Sequence, residues 1–231
     1  MDVIFDMGSV SLSLRRLLVA VGMMGAMTGL GVFLAPSSNA VPVVSGGPPV
    51  APQDCQTTPG DTFETPMVTP NRFWTLYKGQ TIGPWTVTQN NIDLIGRGFW
   101  QAADGVQSVD LSGSSSSGPA LEGGVARVVD TDTLPLPLFT YVGTFCLAGN
   151  PQGGPSVKTG QVLVNGSLVH DFSFDTTGKS TTSMGYRPET FSFTASGPHA
   201  LVEFRSTTPT AYGPVIDKVS FKKCLLGLFC S

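Results

Sequence analysis

From Phe63 onward the chain is a succession of short runs in which apolar and polar residues alternate, each closed by turn formers. Residues 107–111 show the rule. Val109 and Leu111 fall on one face, and Ser108 and Asp110 on the other. A period of two marks a half-buried strand, because successive side chains leave a strand in opposite directions. The same reading predicts strands over 124–129, 140–147, 161–164, 171–174, 189–195, 200–205 and 215–221. Phe172 pairs in phase with Phe174, Phe191 with Phe193, and Val202 with Phe204. Asn165-Gly166 sits between two apolar triplets, the signature of a two-residue hairpin turn that needs positive φ at both positions. Asn165-Gly166-Ser167 also fits the glycosylation sequon. Asp104-Gly105 is a further turn, and 112–118 reads as a flexible low-complexity loop. No segment after residue 40 holds a helical period. Many short strands at regular spacing predict one all-β, antiparallel domain, a sandwich or a barrel, over 61–231.

The first forty residues stand apart. Arg15 and Arg16 precede an apolar stretch to Ala35, and Ser38-Asn39-Ala40 supplies small residues at its exit. This reads as a cleavable signal peptide over 1–40, with a membrane anchor as the alternative. Residues 41–60 are rich in Pro, Gly and Thr and read as a linker. Export changes how the cysteines are read. Cys55, Cys146, Cys224 and Cys230 are an even set, so disulfides are expected, with three possible pairings. Cys55 with Cys224 would tie the two ends of the fold together, and Cys224 with Cys230 would close a local ring. No spacing has the CxxC form of a zinc or redox site. The formal charge of −3 and the sparse charged residues leave no footprint for nucleic acid and suit a neutral polymer such as a glycan. Nothing after the signal is long enough to hold the chain in a membrane.

Several segments, in order along the chain, resemble the choice-of-anchor C family of exported bacterial proteins, related to a plant cell-wall domain of unknown function. They are Phe63-Glu64-Thr65-Pro66, Thr81-Ile82-Gly83-Pro84-Trp85, Ile92-Asp93-Leu94-Ile95-Gly96, Trp100 through Gly113, Leu147-Ala148-Gly149-Asn150-Pro151, Phe172 through Thr182, and Gly213-Pro214-Val215-Ile216-Asp217. The resemblance implies a galactose-binding-like jelly roll. It also implies a structural Ca²⁺ held by Glu64 and Asp217, for which hard carboxylate oxygens are suited. Lys218 stands where that family often has Asn, and Gly60-Asp61-Thr62 replaces its usual Asn-Gly turn. On alternation alone, Asp217 shares the core face of its strand with Val215, Val219 and Phe221. A carboxylate there needs a cation or several donors. Backbone amides or Arg205 are the alternatives to calcium.

Stacking on a sugar needs a flat ring with amides and carboxylates beside it. Trp100, with Gln101 and Asp104, has that mix on a glycine-flanked loop. Trp85, Tyr186 and Tyr212 complete the expected ligand set, and Trp74 and Tyr77 are further aromatic candidates. Core packing is the competing role for each tryptophan. Catalysis is not expected. His170 and Asp171 are adjacent in a strand and point apart. No Gly-x-Ser-x-Gly elbow is present. Asp93, Asp104, Asp110 and Glu122 form no distinctive glycosidase pair. The sequence therefore points to a secreted, non-catalytic module for cell-wall or extracellular carbohydrate. A surface protein that binds another protein is the alternative, and a glycoside hydrolase the remote third.

Overall fold

The structure is a computed structural model and describes Cys55 and residues 60–114, 121–132, 139–225 and 229–230. The expected signal peptide, nearly all of the linker and residues 115–118 of the low-complexity loop lie outside these residues.

Fifteen strands follow one another without a helix among the described residues. They are β1 (Phe73–Tyr77), β2 (Thr81–Ile82), β3 (Trp85–Gln89), β4 (Asn91–Ile95), β5 (Ser108–Asp110), β6 (Ser112–Gly113), β7 (Leu121–Glu122) and β8 (Gly124–Asp130). The rest are β9 (Phe139–Gly149), β10 (Val157–Val164), β11 (Ser167–Asp175), β12 (Arg187–Thr194), β13 (His199–Ser206), β14 (Pro214–Leu225) and β15 (Phe229–Cys230). Two antiparallel sheets form a jelly-roll sandwich. The first runs β1-β4-β5-β14-β9-β12, with β15 beside β14. The second runs β11-β10-β13-β8-β3-β2, and β6 pairs with β7. Every strand predicted by alternation is present. Ser112 and Gly113, expected in a loop, instead form β6, and Ser112 Oγ lies 2.7 Å from Ser206 Oγ.

The core fills the gap between the sheets with interlocking rings. Phe145 of the first sheet meets Phe204 and Phe172 of the second at centroid distances of 5.0 and 5.3 Å. Phe191 meets Phe204 at 5.9 Å. Such pairs add about 0.5–1.5 kcal/mol each beyond area burial. Gly143 makes room for them, since a β-carbon there would sit 2.2 Å from the Phe191 ring. The Asn165-Gly166 turn has φ of 50° and 81°, as the hairpin signal requires.

The first sheet departs from the sequence expectation in one respect. The polar face of β5 is not solvated: Ser108 and Asp110 are 0% and 1% exposed. Loops cover the outer side of this sheet, so both of its faces are buried around β5 and β14. A bulge in β14 decides which side chains lie there. Asp217 faces Cys146, yet Ser220 faces Thr144, and Lys218 takes φ of 50° between them. Three steps on one strand match two on the other, which reverses the facing of every residue beyond the bulge. Phe221 points into the core and Asp217 points outward, beneath the loops. Simple alternation had put them on the same face.

The cysteines pair as Cys55–Cys146 and Cys224–Cys230. The local ring is therefore present. Cys55 does not pair with Cys224: its partner Cys146 lies opposite Asp217, whereas Cys224 lies opposite Thr140, on the same face but farther along β9.

Candidate functional site

Glu64 and Asp217 come from opposite ends of the domain and hold one loop. Asp217 Oδ2 accepts the amides of Ala103 and Asp104 at 2.9 and 3.0 Å, and its Oδ1 accepts that of Lys218 at 2.7 Å. Glu64 Oε1 accepts the amides of Val106 and Gln107 at 2.8 and 3.0 Å. Gln107 in turn donates to the carbonyls of Phe63 and Pro66, so the N-terminal segment and the loop lock together. Burial pushes the Asp217 carboxyl up to about 8 against these three amides, and the charge of Glu64 adds to the rise. Arg205 plays no part here. It pairs with Glu203 at 2.8 Å. Lys218 is 4% exposed, and its ammonium donates to the Cys55 carbonyl at 2.8 Å and lies 3.3 Å from Asp104.

The donor set of this anchor is compatible with a hard cation. Two coupled carboxylates are brought together by distant segments, and neither forms an ion pair with a basic side chain among the described residues. Glu64 Oε2 has no hydrogen-bond partner among those residues. Among them, no group of three or more His, Cys, Asp or Glu side chains gathers, so further oxygens would have to come from the backbone or solvent.

The aromatic candidates separate sharply by exposure. Trp100 is 5% exposed, and its indole N–H donates to Ser108 Oγ at 2.8 Å. Trp85 is 1% exposed and packs among Phe63, Phe204 and the Arg127 guanidinium. Both are core residues, and neither offers a ring face to a sugar. Gln101 braces the same region by accepting the Met184 amide at 3.1 Å. Gln101 and Tyr186 line a cleft of about 200 Å³ with Cys55 and Ala103. The Tyr186 hydroxyl is inaccessible and lacks a well-formed hydrogen bond, and burial raises its pKa well above the usual tyrosine range. Asp104 accepts the Gly105 amide at 3.0 Å and remains partly exposed.

The open rings lie elsewhere. Phe73, Trp74 and Tyr77 of β1 are 37%, 41% and 51% exposed. β1 is an outer strand of its sheet, with one backbone edge unpaired by any other strand among the described residues. Phe73 packs edge-on against Phe99 at 5.3 Å, and Phe99 against Trp100 at 5.5 Å, so the buried tryptophan supports the rim from behind. Tyr212, at a loop before β14, is 38% exposed. A sequence signal for the rim existed in Phe73-Trp74-Thr75-Leu76-Tyr77. Three aromatics in five residues, with ring-bearing positions on both faces, do not match a strand with a single buried face.

A second buried polar network was not visible in the sequence. Asp93 of β4 and Asp110 of β5 face each other across the ladder, and both are buried. Asp93 accepts Thr75 Oγ1 at 2.6 Å and the Ser114 amide at 3.0 Å. Asp110 accepts the amides of Ser112 and Gly213 at 2.9 and 3.1 Å and Asn150 Nδ2 at 2.8 Å. Burial pushes Asp110 up to about 8, those donors oppose the rise, and the Asp93 charge adds to it. Burial also raises Asp93.

The remaining titratable groups pair without a nucleophile. His170 lies 3.3 Å from Glu189, not against Asp171, and His199 lies 3.0 Å from Asp130. Neither histidine has a hydroxyl or thiol partner among the described residues. No helix there is long and apolar enough to cross a membrane.

A family model described as "Protein of unknown function (DUF642)" matches residues 58–222. The chain belongs to the DUF642 family. The match takes in both carboxylate anchors and all strands from β1 through β13 of this DUF642 domain. No curated protein matches it. Solved structures similar to the DUF642 domain include a family 35 carbohydrate binding module from Clostridium thermocellum. That match has 16% identity and a TM-score of 0.41, and covers 64% of this chain and 97% of that one. A CBM22-1 xylan-binding domain from Paenibacillus barcinonensis has 14% identity and a TM-score of 0.41, covering 72% and 96%. An isomalto-dextranase from Arthrobacter globiformis has 16% identity and a TM-score of 0.40, covering 68% of this chain but 24% of that one. At these scores the likenesses assign neither ligand nor activity to the DUF642 domain.

Proposed function

We propose that this domain is an exported, non-catalytic module that binds carbohydrate of a cell wall or extracellular matrix. The observation that carries the reading is the rim of β1, where Phe73, Trp74 and Tyr77 stay open to solvent while Trp85 and Trp100 are buried. Exposed rings on a folded domain mark an interaction site, and these stand on one outer strand, with Phe73 and Tyr77 on one face and Trp74 on the other. Gln80 follows Tyr77 in a tight turn, its Oε1 accepting the Tyr77 amide at 2.7 Å, and its amide nitrogen is a polar group near the end of β1. Two disulfides support an oxidising, extracellular setting.

Glu64 and Asp217 would hold a structural Ca²⁺. The ion would offset two coupled carboxylates and brace the loop they bind. That loop follows Phe99 and Trp100 in the chain, and Phe99 packs against Phe73 of the rim.

The unpaired edge of β1 favours one rival, a partner protein that adds a strand there. Retention on insoluble polysaccharides separates the two readings. Wild-type protein is retained on at least one of cellulose, xylan or galactan, and Trp74→Ala with Tyr77→Ala is released. A wild-type protein that passes through every matrix overturns the carbohydrate reading.

A further inference from the structure

Tyr212 lies far from β1 in sequence, and its setting is more elaborate than a surface tyrosine needs. Its ring rests on the backbone of Gly153. A β-carbon at Gly153 would come within 2.8–3.0 Å of three ring carbons, and one at Gly154 would meet Tyr212 Cβ at 3.3 Å. Gly154 also takes φ of 69°, which L side chains avoid. One side of the ring is therefore seated on glycine, and the residue stays 38% exposed.

Two loops carry this arrangement, and buried ionisable groups hold both. Lys158 is 0% exposed, and its ammonium donates to the Gly153 carbonyl. Asp110 binds Asn150 at the start of one loop and the Gly213 amide beside Tyr212 at the end of the other. Asn150 ties the loops directly, since its amide donates to the Gly213 carbonyl at 2.9 Å and its Oδ1 accepts the Gln152 amide at 2.9 Å. Thr210 Oγ1 accepts the Tyr212 amide at 3.2 Å. Burying an ammonium and a carboxylate is costly. Here the network serves no catalytic pair. What it holds rigid is a half-open ring on a glycine floor.

We infer that Tyr212 on Gly153-Gly154 is a preorganised stacking platform for one neutral sugar ring. The inference rests on the carbohydrate reading and adds a second contact point, at the loop end of the sandwich. The chemistry around the ring sets the ligand class. Residues 150–157 and 207–213 contain no charged side chain. Gln152, Ser156 and Thr210 offer uncharged hydrogen-bonding groups, while Lys158 and Asp110 are sealed beneath the surface. These two loops can bond hydroxyls and themselves give a uronate carboxylate no counter-ion. A rigid platform also lowers the ordering cost of binding.

The test is calorimetric titration with soluble cello-, xylo- and galacto-oligosaccharides and with oligogalacturonate. Wild type binds at least one neutral series and binds it equally well at low and high salt. Tyr212→Ala weakens that binding roughly tenfold or more, and Tyr212→Phe retains it. Gly153→Ala displaces the ring and weakens binding without altering Tyr212. Circular dichroism confirms that each variant is folded. If Trp74→Ala with Tyr77→Ala abolishes binding and Tyr212→Ala leaves it unchanged, the platform is refuted and the carbohydrate reading stands. Preference for oligogalacturonate refutes the neutral class. A wild type that binds none of the four series overturns the platform together with the reading beneath it.

Discussion

The two disulfides should differ in their contribution to stability, and their loop lengths give the size of the difference. Cys55–Cys146 spans 91 residues, whereas Cys224–Cys230 spans 6 and joins register partners on neighbouring strands. A cross-link removes freedom from the unfolded chain in proportion to the logarithm of the loop it closes. The chain-entropy relation gives ~4.6 kcal/mol for the long loop and ~2.2 kcal/mol for the short one. Two native-state effects enlarge the gap. Cys55 and Cys146 are 7% and 4% exposed, and the Cys55 carbonyl holds the buried Lys218 ammonium. Cys55→Ala with Cys146→Ala should therefore lose at least about twice the unfolding free energy lost by Cys224→Ala with Cys230→Ala. Urea denaturation followed by tryptophan emission measures both, since Trp85 and Trp100 are buried and report on the core. The long-loop variant should also show a larger m-value, because its unfolded state expands further. An equal or greater loss from opening the six-residue ring refutes the entropic argument. Peptide mapping that found any other pairing would refute its premise.

The buried carboxylates give two further expected outcomes. Chelation should lower the melting temperature of the wild type, and Asp217→Ala should remove that sensitivity; a melt indifferent to chelator removes the calcium proposal. Asp110 is raised from 3.8 to about 8, so between those values the folded state holds a proton that the unfolded state has lost. Its contribution is complete below pH 3.8 and declines as pH rises toward 8, by about 1.4 kcal/mol per pH unit. Asp110→Asn should flatten the fall in stability between pH 5 and pH 7 by about 1.4 kcal/mol per unit. An unchanged slope in a urea series across that range would show that the three donors keep Asp110 ionised.

Alternation predicted eight strands, the outer strands β11 and β12 among them, because each keeps one buried face. It missed β1, whose exposed rings fall on both faces, and β4, whose five residues are all buried. It also misplaced Asp217, because a single extra residue at Lys218 shifts the phase and leaves no mark that a period of two can register. The tryptophans misled for a related reason. Trp100 stands among glycine and polar residues, as a surface ring would, yet loops cover the outer side of the first sheet and enclose it. Sequence periodicity assumes one wet face per sheet. Around β5 both faces are dry, and a polar residue there signals an internal network and not a solvent boundary.

That internal network links the two proposed contact regions. Thr75 lies within the aromatic strand β1 and donates to Asp93. Asp93 faces Asp110 across the ladder, and Asp110 binds the amide next to Tyr212. Polar groups thus lie in sequence from the rim of β1, through the neighbouring Asp93 and Asp110, to the loops that seat the tyrosine. Pairing two carboxylates in a dry interior is unfavourable by itself, so the arrangement is hard to explain as a device for stability. It is better explained as rigidity placed under binding groups. Each carboxylate uses its acceptor capacity on a strand or loop that ends at an exposed ring. A module that grips a stiff polymer gains from such stiffness, because every side chain fixed before contact is one that binding need not order.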